Sequence, residues 1–371
     1  MYLKSEIKKI FRFCLFWIIP AVFLVFNTFL IVTNFDFTGD GVKTVNSYVR
    51  SNVKPEDEYG FCDDFDYAKE NAVHDYYDNL SARSLLKLAA SFQTDKNSDT
   101  VNKIVEKNYE KVDKRIQQIK SDGEAEDVYY VGTTFGLHTE LYGTVLYLVL
   151  IECLFVAILM TAYLMDYEKI FHTHQNVYSS KRGRSVVFSK CLAAICTTVS
   201  ASVVLITVTL IVFFCRVPHL WSFMQSSVSS AMATEKRFVI YPFITWVKMS
   251  QFQYLLAVAS LMIVYAVLAS FITFALSFVS KNAFINSALT AILYFAFFAV
   301  WFGFSNATVL SFVQVFNPSM AMYNLKGWFM EFVMNPMTSY PGYETAVAFT
   351  YLVLTVIVII PLWKSFKKRD I

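Results

Sequence analysis

Runs without a formal charge divide the 371-residue chain into stretches of very different character. Phe13 to Thr33 gives 21 such residues, enough at about 1.5 Å per residue to cross a hydrocarbon core of roughly 30 Å. A polar stretch, residues 34–140, follows. Beyond it the apolar runs return: Leu141 to Met165 carries the single charge Glu152, Cys191 to Cys215 carries none, and Met249 to Ser280 is uncharged over 32 residues. Asn282 to Leu325 is uncharged over 44 residues, too long for one span; a helix at 283–305 leaves the remainder for a membrane-embedded excursion. A last run, Thr345 to Trp363, is closed by Lys364, Lys367, Lys368 and Arg369. The pattern predicts an all-α polytopic membrane protein with six transmembrane helices and a mainly helical extracytoplasmic domain between the first and second.

Within the polar stretch, Asp66 to Phe92 and Ser98 to Lys120 read as helices. In the second of these Val101, Ile104, Val105, Tyr109, Val112, Ile116 and Ile119 recur at three- and four-residue steps. Asn34 to Asp64 is broken by Gly39, Gly41, Pro55 and Gly60. Its acidic cluster, Glu56, Asp57, Glu58, Asp63, Asp64 and Asp66, lacks a calcium-loop spacing and reads as a solvated acidic surface.

Charge then sets the orientation. Residues 34–140 hold 21 acidic and 13 basic residues, whereas the remainder holds 8 and 19. Basic residues gather beside apolar runs and form no stripe on the polar part, which argues against nucleic acid as a partner. Fourteen of them fall in the short segments before the first span, between the second and third, between the fourth and fifth, and after the last; only five fall in the opposite loops. The excess predicts that both termini are cytoplasmic and that residues 34–140 face outward. The first span has no small-residue cleavage site and reads as a retained anchor. Before it, Leu3, Ile7, Ile10 and Phe11 alternate helically with Lys4, Lys8, Lys9 and Arg12. That is either an amphipathic approach to the membrane or a plain basic flank.

Candidate chemistry is sparse. Five of the six cysteines, Cys14, Cys153, Cys191, Cys196 and Cys215, lie in or beside apolar runs, leaving Cys62 alone in the outer part with no disulfide framework. No Gly-Lys dipeptide exists to build a phosphate-cradling loop, and no His-Glu-x-x-His or Gly-x-Ser-x-Gly occurs. The chain reads as a non-enzyme that binds no cofactor or metal itself. Glu152 stands in mid-span, where a carboxylate costs about 2.5–3.5 kcal/mol unless it meets protein, water or a partner. It is either a translocation-path residue or a hydrogen-bonded packing residue. The loop 166–190 holds Ile170, Phe171, His174 and Val177 at the spacing of one helical face, with Gly183 as a break. This is either a handle for a partner protein or a topology-setting basic loop.

One span, a large outer domain and five more spans together resemble the permease subunits of ABC-2 type ABC transporters. The stretch Glu168 to Lys190 resembles that family's pattern after the second span: a Glu, an apolar pair, then Val177-Tyr178-Ser179-Ser180, Gly183-Arg184 and Ser189-Lys190. The Pro frequent after the family's Ser or Thr is absent. The resemblance implies that residues 166–182 dock on a separate cytoplasmic ATPase, with Glu168, Ile170, Phe171, Val177, Tyr178, Gly183 and Arg184 carrying the coupling. It implies that Leu3 to Arg12 is an interfacial helix and that Asn317-Pro318 turns a re-entrant hairpin. It further implies ATP and Mg on the partner ATPase, a second permease as homodimer or related chain, surrounding membrane lipid, and outward movement of a substrate across a bacterial plasma membrane. The competing expectation is a non-transporting sensor or signalling module with an extracytoplasmic sensing domain.

Overall fold

The computed structural model describes residues 2–34, 99–124, 134–179, 186–217, 220–230, 243–303, 316–330 and 341–368. A short helix, α1 (Tyr2–Phe11), leads through a tight turn into α2 (Cys14–Asn34). Then come α3 (Asp99–Ser121), α4 (Thr134–Glu140), a π-helical turn (Leu141–Val145) and α5 (Leu146–Ile170). After the short α6 (His174–Ser179) the chain runs through α7 (Val186–Phe214), α8 (Leu220–Gln225), α9 (Gln251–Ser277) and α10 (Ala283–Gly303). The short α11 (Pro318–Tyr323) and the long α12 (Tyr343–Lys368) complete it. Among the described residues there is no strand, only two isolated bridges, Ser227 with Ser250 and Thr245 with Met330.

Among the described residues five helices are long and apolar enough to cross a membrane: α2, Leu137–Ile170, α7, α9 and α12; within α10, Ala283–Ala299 is a shorter apolar stretch. The chain is a multi-pass helical membrane protein. Its centre is α5, which packs against both α7 and α9, while α9 also meets α10 and α12. Val149, Cys153, Val156 and Met160 of α5 are enclosed together with Leu205 of α7 and Val258, Met262 and Tyr265 of α9. In lipid, such packing holds by close van der Waals contact and interhelical hydrogen bonds, not by exclusion of water. A hydroxyl link of that kind, Thr198 with Ser270 at 2.9 Å, joins α7 to α9. By contrast α2 turns Val22, Val25, Phe29 and Val32 outward as a lipid-facing surface, and α12 does the same with Val353, Ile357 and Ile360.

Five of the six predicted spans fall on helices long and apolar enough to cross a membrane, while the one predicted over 283–305 falls on α10, whose apolar stretch is shorter; the bounds of the five depart most at one place. The charged residues 166–170 are not loop: α5 runs through Asp166, Glu168 and Lys169, and α7 begins at Val186, ahead of the predicted start at Cys191. Charge ends a span in sequence terms, but here Asp166, Glu168 and Lys190 are buried and paired within the protein. The predicted face Ile170, Phe171, His174, Val177 is also divided, since the helix stops at Phe171. His172 takes a left-handed conformation (φ 55°). The amide of Thr173 donates back to the carbonyl of Glu168 at 2.8 Å and that of His172 to Lys169 at 3.2 Å. This is the Schellman termination that glycine usually makes, formed without one. In the polar stretch, the helix expected over Ser98 to Lys120 is α3; the one expected over Asp66 to Phe92, the acidic cluster and Cys62 lie outside the described residues.

Candidate functional site

Three groups of buried polar side chains mark three levels of the bundle. At mid-depth Glu152 is 6% exposed and accepts a hydrogen bond from Asn27 Nδ2 of α2 at 2.8 Å. The same amide nitrogen reaches Thr209 Oγ1 of α7 at 3.2 Å. Asn27 therefore ties α2 to α5 through Glu152 and to α7 through Thr209. Asn27 is, like Glu152, a polar residue inside an apolar run, and such residues meet across spans.

At the foot, beside the end of α5, four charges form a continuous chain. Lys9 Nζ of α1 lies 2.6 Å from Glu6 Oε1 and 2.8 Å from Glu168 Oε1 of α5. The other oxygen of Glu168 accepts from Lys190 Nζ of α7, which also donates to the carbonyl of Leu164 at 2.7 Å. Lys190 is fully enclosed and Glu168 nearly so. Each interior charge of the chain, Lys9 and Glu168, thus has two opposite neighbours, the condition under which the desolvation of buried ions is offset. Asp166, two residues before Glu168, is held by Lys169 at 2.6 Å. The chain couples α1, α5 and α7 at a single point.

The segment leaving α5 carries the other residues of interest. Ile170 and Phe171 are exposed, the latter 53%. Tyr178 of α6 turns inward, its ring 5.6 Å from that of Phe366 at the end of α12 and in a cluster with Met165, Val187, Phe274 and Phe278; Val177 packs against the rim of that cluster. Burial pushes the Tyr178 hydroxyl up to about 12, with Asp166 and Glu6 adding to the shift through their negative charge. So α6 touches the ends of α5, α7, α9 and α12 while leaving Ile170 and Phe171 to solvent. Gly183 and Arg184 lie outside the described residues.

At the opposite end α3 is pinned to the bundle. Arg115 makes two hydrogen bonds to Glu124, at 2.8 and 2.6 Å, and its Nε donates to the carbonyl of Thr245 at 2.7 Å. Glu124 in turn accepts from Ser229 Oγ at 2.7 Å and from Ser227 Oγ at 3.3 Å. Nothing in the sequence distinguishes Arg115 and Glu124 from the solvated charges around them. Nearby, Asn317 caps α11 by accepting from the Met320 amide at 2.8 Å, with Pro318 at the first helical position. Asn317 Nδ2 also donates to the carbonyl of Phe297, and Ser319 to that of Tyr294. Residues 316–330 then fold onto the bundle. Trp328 Nε1 donates to the Ala321 carbonyl at 2.6 Å, the Tyr265 hydroxyl to the Glu344 carbonyl at 2.8 Å, and the Phe329 amide to Glu344 Oε1 at 3.0 Å. Asn317-Pro318 is a helix start, and residues 304–315, where the other arm of a hairpin would lie, are outside the described residues.

No group of three or more His, Cys, Asp or Glu among the described residues is arranged to hold a metal ion. Comparison with protein-family models, with curated proteins and with solved structures finds no match to this chain.

Proposed function

We propose that this chain is the membrane-spanning permease subunit of an ATP-driven exporter of the ABC-2 type, powered by a separate cytoplasmic ATPase. The observation that carries the reading is the foot of the bundle. An exposed apolar pair, Ile170 and Phe171, adjoins a short helix whose Tyr178 reaches the ends of α9 and α12, while Glu168 in the same segment is locked to α1 and α7. A partner that presses on this segment acts on every helix end gathered there, which is what transmission of ATPase closure to a membrane path requires. In this reading α10 is the fifth of six spans, both termini are cytoplasmic, residues 34–140 face outward and the membrane is a bacterial plasma membrane. A path between two membrane halves calls for a second permease, identical or related. ATP and Mg belong to the ATPase.

A second reading, a sensor whose outer domain signals inward, is favoured by the buried attachment of α3 through Arg115 and Glu124. Purification of the tagged protein from its native membrane in mild detergent, with co-purifying chains identified by mass spectrometry, separates the two. A stoichiometric ABC ATPase supports the permease. Its reproducible absence from intact protein overturns that reading in favour of the sensor.

A further inference from the structure

The two faces of α1 have different fates. Glu6 and Ile10 are buried, Leu3, Ile7 and Lys9 partly so, and this face packs on α7 and α5. On the other side Lys4 and Lys8, and Arg12 just past the helix end, stand exposed at four-residue steps. Glu6 is the single acid in residues 1–34, and it is turned inward to Lys9. Lys4, Lys8 and Arg12 form no ion pair among the described residues, so three adjacent positive charges are left on one surface.

The depth of that surface is set by its neighbours. Trp17, 57% exposed, donates its indole N–H to the carbonyl of Phe11 at 3.1 Å and packs against the rings of Phe11 and Phe16. A tryptophan tied down in this way at the start of an apolar helix sits at the membrane–water boundary. Below it α2 shows lipid its exposed Val22, Val25 and Phe29. The cations of α1 thus lie level with phosphate groups.

We propose that the exposed face of α1 is a docking surface for anionic phospholipid headgroups, held by Lys4, Lys8 and Arg12. Positive charge with no acid beside it selects net negative lipid over zwitterionic lipid, because a neutral headgroup brings its own cation to the same place. The inference is independent of the export reading, since it uses only α1, α2 and a bilayer.

The test is native mass spectrometry of the full chain in mild detergent with phosphatidylglycerol or phosphatidylcholine added. Each cation beside an anionic surface strengthens binding about fivefold. Wild-type protein is expected to retain phosphatidylglycerol in preference to phosphatidylcholine. Lys4→Gln/Lys8→Gln/Arg12→Gln is expected to lose that retention by roughly tenfold or more, while Lys364→Gln/Lys367→Gln/Lys368→Gln on the basic tail keeps it. Equal retention of both lipids by wild type, undiminished retention by the α1 variant, or equal loss in the tail variant overturns the proposal. Should the triple variant fail to fold, Lys8→Gln alone is expected to lose about fivefold, and no loss overturns the proposal equally.

Discussion

Lys9 and Glu168, 159 positions apart, meet at 2.8 Å at the foot of the bundle, and Glu168 passes the contact on to Lys190. Because Lys190 is fully enclosed, removing Glu168 strands an ammonium in the protein interior. Glu168→Gln is expected to destabilise the protein by about 3 kcal/mol, and Lys190→Met by a similar amount. The double variant should lose markedly less than the sum. Unfolding in detergent, arranged as a double-mutant cycle, checks this; additive losses would mean that the two charges do not sense each other.

At mid-depth the carboxyl of Glu152 is bonded through Asn27. Glu152→Gln preserves an acceptor and is expected to change stability by less than about 1 kcal/mol, whereas Asn27→Leu leaves a buried oxygen unpaired and should destabilise by roughly 1–3 kcal/mol. Under the export proposal, loss of transport by Glu152→Gln with partner binding intact marks a translocation path. Unchanged export reduces the residue to packing.

Most of the bundle is legible in the sequence, because a charge-free run long enough to cross a membrane has few other uses. What was hidden follows one physical rule: a charge reads as solvated unless its partner is known, and here the partners are remote. Asp166, Glu168 and Lys190 look like loop residues until Lys9 is placed beside them. The stop at His172 was equally concealed, since a left-handed residue announces itself in sequence mainly when it is glycine. Arg115 and Glu124 lie in a segment dense in lysine and glutamate, with no local sign that these two are enclosed. Asn27 is legible by contrast: an amide within an apolar run needs a partner, and Glu152 is an acceptor in another such run.

Arg115 attaches α3 to the rest of the structure through Glu124 and Thr245. Arg115→Met leaves the Glu124 carboxylate buried without its cation. It is expected to free α3 locally, raising hydrogen exchange over residues 99–121 while α5, α7 and α9 keep their protection. Unchanged exchange in α3 would show that this pair does not hold the helix.

The Tyr178 hydroxyl holds its proton more tightly in the folded protein than in the unfolded chain, where such a group titrates near 10. Below pH 10 both states keep the proton and stability is unaffected. Between pH 10 and about 12 the unfolded chain loses it first, so stability falls as pH rises, by about 3 kcal/mol from this group. Tyr178→Phe should flatten that part of the profile relative to wild type. Tyr178→Ala, by contrast, should lose about 3 kcal/mol at neutral pH by vacating its place against Phe366. Superimposable alkaline profiles for wild type and Tyr178→Phe would contradict the burial of the hydroxyl.

The π-helical turn at Leu141–Val145 places one surplus residue inside an otherwise regular helix. Above it His138 faces Gln251, at 3.4 Å, and the rings of Tyr142, Phe243 and Tyr254; below it Glu152 faces Asn27. Since each residue of an α-helix turns the next by about 100°, the surplus residue lets both ends keep neighbours that a regular helix of the same length could not serve together. The turn is therefore a register joint, and it makes the helix unevenly tolerant of length change. Loss of one residue within Leu141–Val145 would restore a plain α-helix with both ends still facing their partners. The same loss between Glu152 and Glu168, where the helix is regular and has no surplus residue to give up, would swing one end away from its partners.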